Sequence, residues 1–149
     1  MAVVLRAARP DERELIARIH RESALQAYAG LFPPESPFPW QATLDRWRSY
    51  PHHLIVAELD DAPADAAAVV GFAAFDAHEL AALYVLPASW GHGIGATLLE
   101  AAGGVSVLWV LEGNTNARHF YEQHGWRPDG ARRTNPHAPE VAELCYRRT

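Results

Sequence analysis

The 149-residue chain predicts a single mixed α/β domain, and three observations carry that expectation. Short apolar segments of strand character interleave with longer segments of helical period in the order β-α-α-β-β-β-α-β-α-β. An apolar strand running through Leu83, Tyr84 and Val85 breaks at Pro87 and enters glycines spaced by two, which open a helix. The length suits one ordinary domain, long enough to bury a core and too short for a second.

Val3 to Ala7 reads as the first strand. Pro10-Asp11 then starts a helix, ERELIARIHRESALQAYAG, whose Leu15, Ile19, Ala24 and Leu25 share an apolar side until Gly30 ends it. LFPPESPFPW holds four prolines in ten residues and is a loop, anchored by Phe32, Phe38 and Trp40. A second helix covers Gln41 to Ser49. His53 to Leu59 and Ala68 to Phe75 form paired strands around the turn DDAPADAA, and Glu79 to Leu86 is the next strand. A helix from Gly93 or Ile94 stops at Gly103-Gly104, and strand Val105 to Leu111 follows. Asn116 to His124 is helical and closed by Gly125. The last strand covers about Val141 to Arg147, and an extra strand near Gly130 is left open.

Composition removes several chemistries. All 13 basic residues are arginine, so neither a phosphate-loop lysine nor a Schiff-base lysine is available. A net charge of -5 with scattered arginines argues against nucleic acid, and no apolar run approaches a membrane span. The start MAVVLRAARPDERE turns acidic too soon for a signal peptide, so a soluble cytoplasmic protein is expected. Cys145 is the only cysteine, which excludes an internal disulfide. The histidines have no metal-ligand spacing, and no metal is expected.

The glycine segment binds phosphate by design. Amides at a helix start point outward without partners, and glycine lets a pyrophosphate approach them without meeting a Cβ. A nucleotide-bearing cofactor is therefore expected. Gly91, Gly93 and Ala96 fit Gly-x-Gly-x-x-Ala, with Glu112 near the place of a ribose-binding acid, but Pro87 to Trp90 separate strand from loop and only 37 residues follow Glu112.

Val85, Trp90, Gly93 and Gly95 sit in the register of a different pattern, (Arg or Gln)-x-x-Gly-x-(Gly or Ala) five residues after a strand valine. A second block, Asn114-x-x-Ala117-x-x-Phe120-Tyr121-x-x-x-Gly125-Trp126, follows in order. Together these resemble the acetyl-CoA-binding blocks of the GNAT superfamily of N-acetyltransferases, over roughly residues 68 to 128. The resemblance implies a central mixed, mostly antiparallel sheet flanked by about four helices. It also implies one N-acetyltransferase domain over residues 1–149, with acetyl-CoA as cosubstrate. The acceptor would be a small-molecule amine or a peptide or protein amine, and a homodimer is left open.

The resemblance places the cofactor against Leu83, Tyr84 and Val85, the loop Trp90, Gly91, His92, Gly93, Ile94, Gly95 and Ala96, and Asn114, Asn116 and Tyr121. Val85 would act through its main-chain N–H on the thioester carbonyl. Tyr121 would be the acid that protonates the departing thiol. Glu79 stands six residues before Val85, where family members carry a general base, and plain alternation sets it on the face of Ala81, Leu83 and Val85. Asparagine at 114 also suits a helix N-cap. Trp90 departs from the family's Arg or Gln; His92 or Arg118 would then supply the missing charge, or the indole would stack on a ring. Tyr28, Phe32, Phe38, Trp40 and Trp47 are candidate walls for the acceptor. Two alternatives stay open: a non-catalytic acyl-CoA-binding or regulatory protein, and a nicotinamide-nucleotide-binding domain.

Overall fold

The computed structural model describes residues 2–33, 36–62 and 68–148. Its elements run β1 (Val3–Ala7), α1 (Arg13–Ala27), α2 (Trp40–Ser49), β2 (His53–Leu59), β3 (Val69–Phe75), β4 (Glu79–Val85), α3 (Ile94–Ala101), β5 (Val107–Leu111), α4 (Thr115–Gln123), β6 (Arg127–Asn135) and β7 (Ala138–Arg147). Single 3-10 turns at Pro10–Glu12 and Pro87–Ser89 lead toward α1 and α3. Part of the turn expected over DDAPADAA, and of the proline-rich loop, lies outside the described residues.

The strands make one seven-stranded sheet in the order β1-β2-β3-β4-β5-β7-β6. Only β4 and β5 run parallel, joined by α3; every other pair is antiparallel. This topology overturns the nicotinamide reading, since a doubly wound dinucleotide fold needs a run of parallel strands. Helices cover both faces. Ile16 and Ile19 of α1 and Leu44 and Trp47 of α2 pack on Val56, Phe72 and Ala82. Leu98 and Leu99 of α3 and Tyr121 of α4 pack on Leu80, Leu108 and Tyr146 on the opposite face.

The extra strand near Gly130 is β6. It offers no alternation to read, because its residues are exposed on both faces and only Asn135 is half-buried. Gly130, at φ 93°, sits where its pairing with β7 shifts between Pro128 and Arg132. β5 starts at Val107; Val105 is buried in the preceding turn.

Two irregularities of β4 build the site. First, its register on β3 passes from Ala74↔Ala82 to Phe75↔Leu80, leaving Ala81 as the extra residue of a bulge. Leu80 joins the cluster under α3, whereas Ala81, Ala82 and Tyr84 pack on the α1/α2 side. The alternation is thereby inverted at the strand's start, and Glu79 falls on the face of Ala82 and Tyr84, not on that of Leu83 and Val85. Second, β4 pairs with β5 only at Glu79↔Val107 and Leu80↔Leu108. Beyond Leu80 the two strands part, and the edge of β4 that faces β5 is open.

Candidate active site

Where β4 and β5 part, a cleft of about 1310 Å³ passes through the sheet, with α3 and α4 on one side and α1 and α2 on the other. Its first wall is the open edge of β4. Leu86 donates its N–H to Val70 O at 2.7 Å, so by alternation the N–H and C=O of Val85 point away from β3 into the cleft. Leu83 presents its main chain likewise. Val85 O is already engaged: the indole Nε1–H of Trp90 donates to it at 2.6 Å. The side chain that departs from the family pattern is thus spent on the strand edge.

The glycine loop continues this wall. Gly91 and Gly93 have φ of +83° and +78°, the left-handed region, and a Cβ on either would meet nothing within 4 Å. Their need for glycine is conformational. Gly93 caps α3 without a side-chain bond, and the first helical bond runs from Thr97 N–H to Gly93 O, so the amides of Ile94, Gly95 and Ala96 have no helical acceptor. Gly91, Gly93, Ile94, Gly95, Ala96 and Trp90 all line the cleft. His92 does not; it stands exposed. Arg118 is also turned elsewhere, its Nε donating to Tyr146 Oη at 2.9 Å and its Nη1 to Glu112 O at 3.0 Å. Neither side chain lines the cleft, whereas the amides of the loop and the helix dipole of α3 face it with an attraction for anions. Glu112 lies outside the cleft, paired with Arg132.

α4 closes the cleft on the α3 side. Asn114 is its N-cap, the Oδ1 accepting from Ala117 N–H at 3.2 Å, and Asn116 lines the cleft in the first turn. Tyr121 is buried against Phe120 and Trp126, yet lines the cleft, and its hydroxyl meets no partner among the described residues. Burial, then the neighbouring Tyr84, pushes its phenol above the usual 10.

The α1/α2 side is polar and aromatic. Tyr28 and Tyr84 share a hydrogen bond at 2.8 Å, and burial raises both phenols. His20 stacks on Tyr84 at 4.4 Å and accepts from Trp47 Nε1–H at Nδ1, 2.9 Å. Burial, aided by the charge of Arg46, holds its pKa down to about 3, so the ring is neutral with its proton on Nε2. Glu79 is half-buried and lines this side; its N–H bonds Asp76 Oδ1 at 2.7 Å, and its carboxylate has no partner among the described residues. Glu143 of β7 reaches in from beyond β5, held by Arg133 at 2.6 Å and Asn135 at 3.1 Å. Of the aromatic walls expected for the acceptor, Tyr28, Phe32 and Phe38 line the cleft. Trp47 is wholly buried beneath His20, and Trp40 lies outside under Arg21. The sequence reading missed His20, Arg46 and Glu143. His20, a polar residue four after Ile16 on the buried stripe of α1, carried a readable signal.

The acetyltransferase (GNAT) domain family matches residues 51–128, which span β2 to the start of β6 and include the glycine loop and α4. The chain belongs to this GNAT acetyltransferase family. A probable N-acetyltransferase of Mycobacterium tuberculosis is 29% identical to this GNAT chain, over 96% of its length and 93% of the relative's. The solution structure of apo YjaB from Escherichia coli superposes with a TM-score of 0.76 at 25% identity, covering 99% and 97% of the two chains. The PaiA N-acetyltransferase of Thermoplasma acidophilum, solved in complex with coenzyme A, gives a TM-score of 0.70 at 21% identity over 100% of both chains. The protein is therefore an acetyltransferase on a GNAT fold. Among the described residues no group of three His, Cys, Asp or Glu side chains could hold a metal, and no helix is long and apolar enough to cross a membrane.

Proposed function

We propose that this protein transfers the acetyl group of acetyl-CoA directly to a primary amine, with the cosubstrate entering from the α3/α4 side of the sheet and the amine from the α1/α2 side. The observation that carries the reading is the split between β4 and β5, which joins the open edge of Val85 to the unpartnered amides at the start of α3. A GNAT neighbour solved with coenzyme A supports it. When bound, acetyl-CoA supplies an activated acyl group and a thiol as leaving group.

The chain's own residues bind and manage protons. The amides of Ile94, Gly95 and Ala96 receive the pyrophosphate at the helix start. The Val85 edge and Asn114 align the extended arm as an added strand would lie, and the Val85 N–H donates to the acyl oxygen. An alkylammonium has a pKa of about 10, so the amine must lose a proton before it attacks. Glu79, facing the acceptor side without a partner of its own, takes that proton. Tyr121, kept protonated by burial, gives one to the departing sulfur.

Two measurements test this. Acetyl-CoA should raise the melting temperature by several degrees at saturating concentration, since a ligand at 100 times its Kd adds about 2.7 kcal/mol to the folded state, whereas NAD and NADP should not. Thiol release with a panel of primary amines then reads transfer itself. Equal shifts with acetyl-CoA and NAD, or binding without thiol release on any amine, would sink the proposal.

A further inference from the structure

The α1/α2 wall holds a set of hydrogen-bond donors that the proton transfers above do not use. Arg46 of α2 donates from Nη2 to Ala81 O at 3.2 Å and lies over the Trp47 ring at 4.4 Å, so its guanidinium is anchored against β4. No carboxylate among the described residues pairs with it. The second cation of the cleft, Arg133, is already neutralised by Glu143. Ser23 of α1 is 2% exposed and lines the same wall, yet its Oγ has no partner. The Nε2–H of His20, one turn away, is likewise unengaged among the described residues, its other nitrogen being taken by Trp47.

Arg46, Ser23 and His20 therefore line one wall of the cleft, the Ser23 hydroxyl and the His20 Nε2–H without partners among the described residues, and a buried polar group without a partner is costly unless a ligand completes it. One guanidinium with two neutral donors suits a singly charged oxyanion. Glu79 lies two residues before Ala81, whose carbonyl anchors Arg46, and lines the same cleft. One anion and one cation in the same cleft, unpaired with each other, complement a ligand bearing both charges.

We infer that the acceptor is an amine of amino-acid size that also carries a carboxylate, which Arg46, Ser23 and His20 receive while the amino group faces Glu79. The inference rests on the acetyl-transfer reading and names its substrate class.

The test measures thiol release with carboxylate-bearing amines of increasing chain length, each beside its neutral primary amide, with rates corrected for amine protonation. At least one acid should exceed its amide tenfold or more in kcat/KM. Arg46→Gln should bring that ratio near one through KM, Arg46→Lys should keep part of it, and Ser23→Ala should lower it several-fold. Titration of each variant with acetyl-CoA reports whether the cleft is folded; were Arg46→Gln unfolded, Ser23→Ala and the parent's own ratio still decide. Amides turned over as well as their acids in every pair, a preference that survives Arg46→Gln, or a free peptide N-terminus preferred to both would overturn the inference and leave acetyl transfer standing. Failure to bind acetyl-CoA, with no thiol release on any amine, would take both down.

Discussion

The indole N–H of Trp90 donates to the main-chain oxygen of Val85 at 2.6 Å, so a side chain occupies the acceptor that an extended ligand on β4 would use. Trp90 itself is 45% exposed, which leaves it free to swing away. Trp90→Phe removes the donor and keeps a ring. Acetyl-CoA should then bind a few-fold tighter, in line with about 0.5–1.5 kcal/mol for one neutral hydrogen bond. Trp90→Arg should add a charge-assisted contact of about 1.5–3 kcal/mol, tenfold or more in affinity, and that gain should shrink with salt. Calorimetric titration at two salt concentrations checks both variants. Weaker binding by the two together would mean that the indole holds the ligand or the loop.

Gly93 tests the loop by conformation alone, because space is open around it. At φ +78° a β-branched residue is strongly disfavoured, whereas asparagine tolerates the left-handed region. Gly93→Val should lose acetyl-CoA binding by tenfold or more as the amides of α3 turn away. Gly93→Asn should stay within a few-fold of the parent. If valine binds as tightly as glycine, these amides do not hold the pyrophosphate.

What the sequence revealed, and what it hid, divides along physical lines. The loop from Trp90 to Ala96 and the cap at Asn114 were legible because left-handed turns and helix starts demand particular residues within a few positions. The bulge at Ala81 was not. No Gly or Pro marks it, and the alanines around it fit either face, so plain alternation set Glu79 on the wrong side of β4. β6 was obscure for want of a buried face. His20, Arg46 and Glu143 come from α1, α2 and β7, and only tertiary packing brings them to one cleft.

Glu79 and Tyr121 should separate in their kinetic signatures. Tyr121→Phe keeps the ring packed against Phe120 and Trp126 and removes only the proton donor, so kcat should fall tenfold or more while acetyl-CoA affinity stays within a few-fold. Because burial pushes the parent's phenol above 10, the parent should show no loss of kcat from phenol ionisation up to that pH. Glu79→Gln should lower kcat most at neutral pH, with the rate climbing as the free amine fraction rises. Turnover unchanged in both variants would leave the acid–base assignment without support.

Glu12 links the fold's first corner to pH. Arg6 donates to its two carboxylate oxygens at 2.8 Å each, and Arg9 N–H adds a bond at 2.7 Å on a side chain only 7% exposed. The Arg6 hydrogen bonds lead in holding its pKa down from 4.5 to about 2, against the opposing effect of burial. A carboxylate whose pKa is lower in the folded state stabilises the fold above the unfolded value, and that contribution drains away as pH falls through the folded value. The span from 4.5 to about 2 corresponds to about 3 kcal/mol at most, fully present at pH 7 and lost in the window between those two values. Glu12→Gln should therefore lower stability at pH 7 by about 2–3 kcal/mol, several degrees in Tm for a chain of this size. It should also lose less stability than the parent between pH 4.5 and pH 2. Urea titrations of both proteins across that range measure the difference, and parallel losses would show that Arg6 gains nothing from the charge of Glu12.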